Sequence, residues 1–299
     1  MEQKDWAGVF PAITTPFHPD LSVDYAALET RIDRLIESGC RGIVALGSLG
    51  EAQTLSCEEK IGIVERAKRS LKGRAPLIAG VSALSTTEAV SFANAVHETG
   101  ADGLMVLPPY VYRGDWRETE AHLSAVFRAT PLSAMLYNNP IAYGTDITPE
   151  QIMKLRARHE NFHAVKESSG DIRRITDLKH LASDSLVLFV GVDDLIVEGI
   201  AAGATGWIAG LVNAFAVESV RLFDLAQRGP SQELEELYAR FLPLLRLDTV
   251  PKFVQLIKFV QEELGVGSAR VRPPRLELAS KDQKDTLALV RSFVERRTA

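Results

Sequence analysis

The chain has 299 residues, of which 46% are hydrophobic and 24% charged, enough to build one large barrel or two ordinary domains. Its net charge of −5, with no dense run of Lys and Arg, argues against nucleic acid as a partner, because that binding depends on neutralising phosphates. The opening Met1-Glu2-Gln3-Lys4-Asp5-Trp6 lacks a signal peptide's apolar run, and Cys40 and Cys57 fit a reducing compartment, so a soluble cytoplasmic protein is expected.

Short apolar runs alternate with helical patterns along the chain. The spacing predicts strands at Val9–Thr14, Gly42–Leu46, Leu77–Ala79, Gly103–Leu107, Ser133–Tyr137, His163–Lys166, Leu186–Val190 and Gly206–Ala209. Between them, stripes such as Leu28, Ile32, Leu35 and Ile36, or Ile61, Val64, Ala67 and Leu71, predict amphipathic helices. Ser56-x-x-Glu59, Ser85-x-x-Glu88 and Thr148-Pro149-x-Gln151 read as capping boxes. Gly199–Val217 carries no charge and approaches bilayer-spanning length, but four glycines and Asn213 interrupt it, so a helix–loop–strand–loop passage is expected and no membrane contact. From about Gly229 the pattern turns helical. Leu234, Leu237, Phe241, Leu244 and Leu245 form one stripe, followed by helices near Lys252–Leu264 and Gln283–Arg296.

Eight strands alternating with helices, at roughly thirty residues per unit, predict an α/β (β/α)8 TIM barrel over residues 1–228. A helical extension over 229–299 is expected to pack on it. A doubly wound open sheet is the rival, but Pro11-Ala12-Ile13-Thr14-Thr15-Pro16 follows the first strand where a Gly-x-Gly-x-x-Gly turn belongs.

Side chains at the C-terminal ends of barrel strands converge on one mouth. Ser48 follows the second strand, Tyr137 ends the fifth and Lys166 the sixth. Burial there disfavours an ammonium and leaves an amine able to attack carbonyl carbon. The turn Gly47-Ser48-Leu49-Gly50-Glu51 offers backbone N–H groups and a hydroxyl for a carboxylate, although it could equally start a helix. Taken alone, Lys166 could be a solvated charge and Tyr137 a core aromatic. Other motifs fail. Leu46 stands where a nucleophile elbow needs Gly, no phosphate-binding Gly-Lys-Ser/Thr loop occurs, and His159 and His163 straddle a predicted helix end and strand, so no metal is expected.

The words Gly8-Val9-Phe10-Pro11-Ala12-Ile13-Thr14-Thr15-Pro16-Phe17, Gly47-Ser48-Leu49-Gly50-Glu51, Tyr137-Asn138-Asn139-Pro140, Lys166-Glu167-Ser168-Ser169-Gly170 and Gly191-Val192-Asp193-Asp194 span nearly the whole chain. Together they resemble the dihydrodipicolinate synthase/N-acetylneuraminate lyase family of class I aldolases. The resemblance implies a Schiff base on Lys166, with Tyr137 shuttling protons. It implies a substrate carboxylate held by Ser48 and Leu49, with Ser48 completing a relay. Gly191, Asp193 and Asp194 then contact the distal substrate, although a helix N-cap explains the two Asp residues equally well. It further implies a homotetramer (a dimer of dimers) that needs no cofactor. Three positions depart from the pattern. Ala142 stands where the synthase branch carries an Arg that grips a dicarboxylic partner, which argues against that activity. Leu49 replaces a hydroxyl residue. Val111 stands where an aromatic is lent across the dimer, and Tyr110 or Tyr112 could substitute.

One lysine imine supports aldol cleavage, dehydration or deamination, according to which proton is removed. The wording is most similar to 1-pyrroline-4-hydroxy-2-carboxylate deaminases of hydroxyproline catabolism, acting on a cyclic imino acid. The alternatives are an aldolase or dehydratase of a 2-oxo-3-deoxy sugar acid, releasing pyruvate in the first case, and a non-catalytic barrel that binds a 2-oxo acid.

Overall fold

The computed structural model describes residues 1–295. Eight parallel strands follow one another around a sheet: β1 (Gly8–Pro11), β2 (Ile43–Ala45), β3 (Leu77–Val81), β4 (Gly103–Val106), β5 (Ser133–Asn138), β6 (Phe162–Glu167), β7 (Val187–Val190) and β8 (Gly206–Ala209). β1 pairs with β8, and the circle closes where Ala12 bridges Val44 and the Ile13 N–H donates to the Val44 carbonyl at 2.9 Å. The fold is the (β/α)8 barrel expected. β1 ends at Pro11, earlier than the apolar run predicted, although single hydrogen bonds from Ala12 to Ala209 and from Ile13 to Val44 continue beyond it.

Helices α1 (Tyr25–Glu37), α2 (Cys57–Leu71), α3 (Thr86–Glu98), α4 (Trp116–Ala129), α5 (Pro140–Tyr143), α6 (Pro149–Arg156), α7 (Arg173–Ala182), α8 (Ile196–Ala201) and α9 (Ala216–Arg228) occupy the connections and follow β8. Ser56 with Glu59 and Thr148 with Gln151 form reciprocal capping boxes. The box at Ser85 is only half made. Ser85 accepts from the Glu88 N–H, while the Glu88 carboxylate turns to the Leu84 N–H.

The pleat divides the core in two. One set of strand residues, Val9, Ile43, Ala45, Leu77, Ala79 and Leu104 among them, packs outward on the helices. The alternate set, Phe10, Val44, Ile78, Met105, Met135, Ala164, Phe189 and Ile208, fills the barrel interior. Trp6 plugs the lower end, 5.9 Å from Phe189 edge to face, with its indole N–H donating to Ser133 Oγ at 2.7 Å.

Beyond α9, α10 (Gln232–Leu245), α11 (Phe253–Glu263) and α12 (Ser280–Glu295) follow. α12 begins three residues before the predicted start, and Arg296 lies outside the described residues. Phe215, Phe241 and Phe293 meet at centroid distances of 5.0–5.8 Å, which joins the last helices to α9. Among the described residues no helix is long and apolar enough to cross a membrane. Residues 199–217 divide into the end of α8, a loop, β8 and a 3-10 turn at Leu211–Asn213, as the glycines foretold.

Candidate active site

Strand parity places the two central residues. On β5 Met135 points inward, so Tyr137 does too, one layer nearer the mouth. On β6 Ala164 points inward, and Lys166 follows it. Tyr137 and Lys166 are register partners, which sets the Lys166 Nζ 3.9 Å from the centroid of the Tyr137 ring. Both are buried. Burial pulls the Lys166 ammonium down to about 8, although Asp248 and Asp193 hold it up. Among the described residues no carboxylate comes within ion-pairing distance of its Nζ, so no ion pair ties up the amine.

Gly191 makes room for that side chain. A Cβ there would collide with Ser168 Oγ and lie 2.7 Å from both Cγ and Cε of Lys166. Among the described residues the buried Ser168 hydroxyl finds no hydrogen-bond partner.

Ser48 lies in the turn after β2. Two non-glycine residues with positive φ bracket it, Leu46 at 63° and Glu51 at 55°. The Glu51 carboxylate is anchored from below. Lys258 donates to it at 2.5 Å and the Arg272 N–H at 3.0 Å, both from the C-terminal part of the chain. Among the described residues the N–H groups of Ser48 and Leu49 donate to no protein acceptor, which leaves them available to a carboxylate.

The hydroxyl partner of Ser48 is Tyr143, a residue that the sequence reading missed. Tyr143 closes α5 and packs edge to face on Tyr137 at 5.8 Å. Its only sequence signal was the Asn139-Pro140 helix start, which places it one turn beyond the cap. Burial raises both phenols. The Asn139 side chain donates to the Tyr137 hydroxyl at 2.9 Å and fixes it further.

The other expected contacts are placed unequally. Tyr110 reaches the Tyr143 ring at 5.9 Å, whereas Tyr112 is exposed and donates to Glu118. Asp193 is fully buried, but its oxygens accept from the Trp207 indole and from the Gly210 and Leu211 N–H groups. It ties the β7 and β8 loops together rather than capping a helix, since Val192 holds the cap position. Asp194 meets Arg246 at 3.7 Å. His159 and His163 go to separate hydroxyls, Ser124 and Ser133.

A buried amine, a phenol against it and a carboxylate cradle can form and process an imine of a 2-oxo acid. The model of the dihydrodipicolinate synthetase family matches residues 5–292. The chain belongs to that family. It is an enzyme of the lysine Schiff-base lyase class. The 4-hydroxy-tetrahydrodipicolinate synthase of Methanococcus maripaludis strain C6 is 30% identical over 276 residues, covering 92% of this chain and 94% of the relative. That of Methanopyrus kandleri is 31% identical, covering 94% and 93%. Among solved structures, a putative dihydrodipicolinate synthetase from Pseudomonas aeruginosa superposes with a TM-score of 0.91 at 31% identity, covering 96% of this chain and 99% of that one. The 4-hydroxy-tetrahydrodipicolinate synthase of Methylacidiphilum fumariolicum SolV superposes with a TM-score of 0.93 at 27% identity, covering 97% and 96%.

Proposed function

We propose that Lys166 is the Schiff-base nucleophile, that Tyr137 moves protons beside it, and that Ser48 with the N–H groups of Ser48 and Leu49 holds the substrate carboxylate. The observation that carries this reading is the Lys166 Nζ, buried, without an ion pair among the described residues and 3.9 Å from the Tyr137 ring centroid. Tyr143 joins through Ser48 and gives the relay a route within one chain.

The substrate we favour is 1-pyrroline-4-hydroxy-2-carboxylate. The amine adds at C2, and the ring C–N bond then breaks, leaving the chain as a lysine imine with a primary amine on C5. Loss of a C3 proton expels the C4 hydroxyl as water. Protons then move from C5 and its nitrogen to C3 and C4, which turns the C5 amine into an imine. Hydrolysis of the two imines, at C5 and at the lysine, gives ammonia and 2-oxoglutarate semialdehyde, with one water consumed overall. Supporting it, Ala142 is exposed and supplies no cation for a second carboxylate. The names of the relatives support a second reading, the 4-hydroxy-tetrahydrodipicolinate synthase reaction itself. Cleavage or dehydration of a 2-oxo-3-deoxy sugar acid uses the same imine.

Assembly as a homotetramer and a cytoplasmic location belong to the same reading. Leu84, Val111 and Tyr112 on loops and Ile141 on α5 are all exposed in the segments after the adjacent strands β3, β4 and β5, where a second copy could cover them.

Borohydride with pyruvate should leave a stable adduct on Lys166, mapped by peptide mass spectrometry. An unmodified Lys166 sinks the reading. Ammonia release from the hydroxypyrroline carboxylate, measured beside pyruvate release from deoxy sugar acids and condensation with aspartate semialdehyde, then selects the reaction.

A further inference from the structure

Asp248 has no part in the mechanism above. It lies in the 3-10 turn Arg246–Thr249 between α10 and α11, far along the chain from the barrel strands. Nevertheless its carboxylate rests against Gly210, at the C-terminal end of β8. A Cβ at 210 would collide with Asp248 Oδ1. The tail therefore delivers a carboxylate to the barrel mouth, and glycine at 210 is what admits it.

The two acidic groups beside Gly210 differ in one respect. Asp193 is saturated by indole and backbone donors. Asp248 is half-buried, accepts no hydrogen bond from any described residue and among them has no cation within ion-pairing distance, and burial beside Asp193 holds its carboxyl well above the ordinary range. A carboxylate in that setting lacks the partners that burial demands. Its field nevertheless reaches Lys166 and Tyr137.

Topology says what could sit between. β8 is two strands from β6 in one direction, and two from β2 in the other by way of β1. For a substrate with its carboxylate at the Ser48 turn and its C2 at Lys166, the third point of this triangle is a place the remaining carbons can reach. That point is Asp248.

We propose that Asp248 is the specificity-determining residue of a distal subsite. It pairs with hydroxyl or ammonium groups on C4 and C5 of a monocarboxylic 2-oxo acid or opened ring imine, and the acidic pair it forms with Asp193 offers no partner to a second carboxylate. The proposal deepens the function proposed above and rests on Lys166 as the nucleophile. The amine released on C5 in the favoured reaction is a group of the required kind.

Borohydride trapping tests it without knowledge of the natural substrate. Pyruvate has no distal group, 2-oxoglutarate carries a distal carboxylate, and 2-oxo-3-deoxygluconate carries distal hydroxyls. In the unaltered protein, half-maximal trapping should need more 2-oxoglutarate than deoxygluconate. Asp248→Asn keeps the shape and removes the ionisable acid, so that preference should fall at least about tenfold while pyruvate trapping on Lys166 persists. Asp248→Ala should do the same, and retained pyruvate trapping reports that each variant is folded. A preference within about twofold of the unaltered protein in Asp248→Asn, with pyruvate still trapped, overturns the distal subsite and leaves Lys166 standing. Failure of pyruvate to modify Lys166 in the unaltered protein removes the nucleophile and the subsite together.

Discussion

At position 166 two effects compete, and burial wins over the pull of Asp248 and Asp193, bringing the ammonium down to about 8. The sign follows directly: the free amine accumulates as pH rises through about 8, so the rate of pyruvate trapping should climb to a plateau above it. A rate independent of pH between about 6 and 10 contradicts a titrating nucleophile. Lys166→Ala should lose turnover by about three orders of magnitude or more while the fold survives, checked by circular dichroism beside the assay. Tyr137→Phe should cut proton-transfer steps by about a hundredfold or more and spare imine capture by pyruvate. Tyr143→Phe should show the same split more weakly, because it acts through Ser48. Lys166 and Tyr137 were legible in the sequence because parity along a strand fixes which side chains turn inward, and an apolar run fixes where a strand ends. Tyr143 and Asp248 were not. Their places depend on how a four-residue helix and a distant turn pack, and no local pattern encodes that.

Among elements, the turn from Leu46 to Glu51 shows how the scaffold fixes a recognition site. Positive φ at two residues that carry side chains costs about 1–3 kcal/mol each, so the turn persists only where its surroundings impose it. The constraint comes from α11 and the segment after it. Lys258, itself buried and lowered to about 8, donates to Glu51, and the Arg272 N–H holds the other carboxylate oxygen. Glu51→Gln strips the charge from a buried pair and should cost about 3–5 kcal/mol in denaturant unfolding. Lys258→Met should cost a similar amount, and the double variant less than the sum, since neither charge is then left alone. A loss under about 1 kcal/mol for either single variant would mean that something other than this pair holds the turn. The strands and most helix starts were legible from periodicity and capping residues. This anchor was not, because it joins residues that local periodicity cannot relate.

At the scale of the whole molecule, the helices after residue 228 take part in the barrel at several points. Phe241 and Phe293 close over Phe215 beside α9. Thr14, just past β1, donates to Gln261 on α11 at 2.9 Å. Glu51 has its cation on α11, and Asp248 reaches the mouth itself. Removing residues 229–299 therefore uncovers an aromatic cluster and strips a fully buried carboxylate of its partners, two losses that a marginally stable domain cannot absorb together. A chain ending at residue 228 should accumulate as aggregate or show no near-ultraviolet circular dichroism, and pyruvate with borohydride should leave Lys166 unmodified. Supplying residues 229–299 as a separate chain during expression should recover part of the folded material, because the tail acts on the barrel through apolar burial and ion pairing, neither of which needs a covalent link. A soluble fragment 1–228 with a cooperative unfolding transition and an adduct on Lys166 would show that the barrel stands without them.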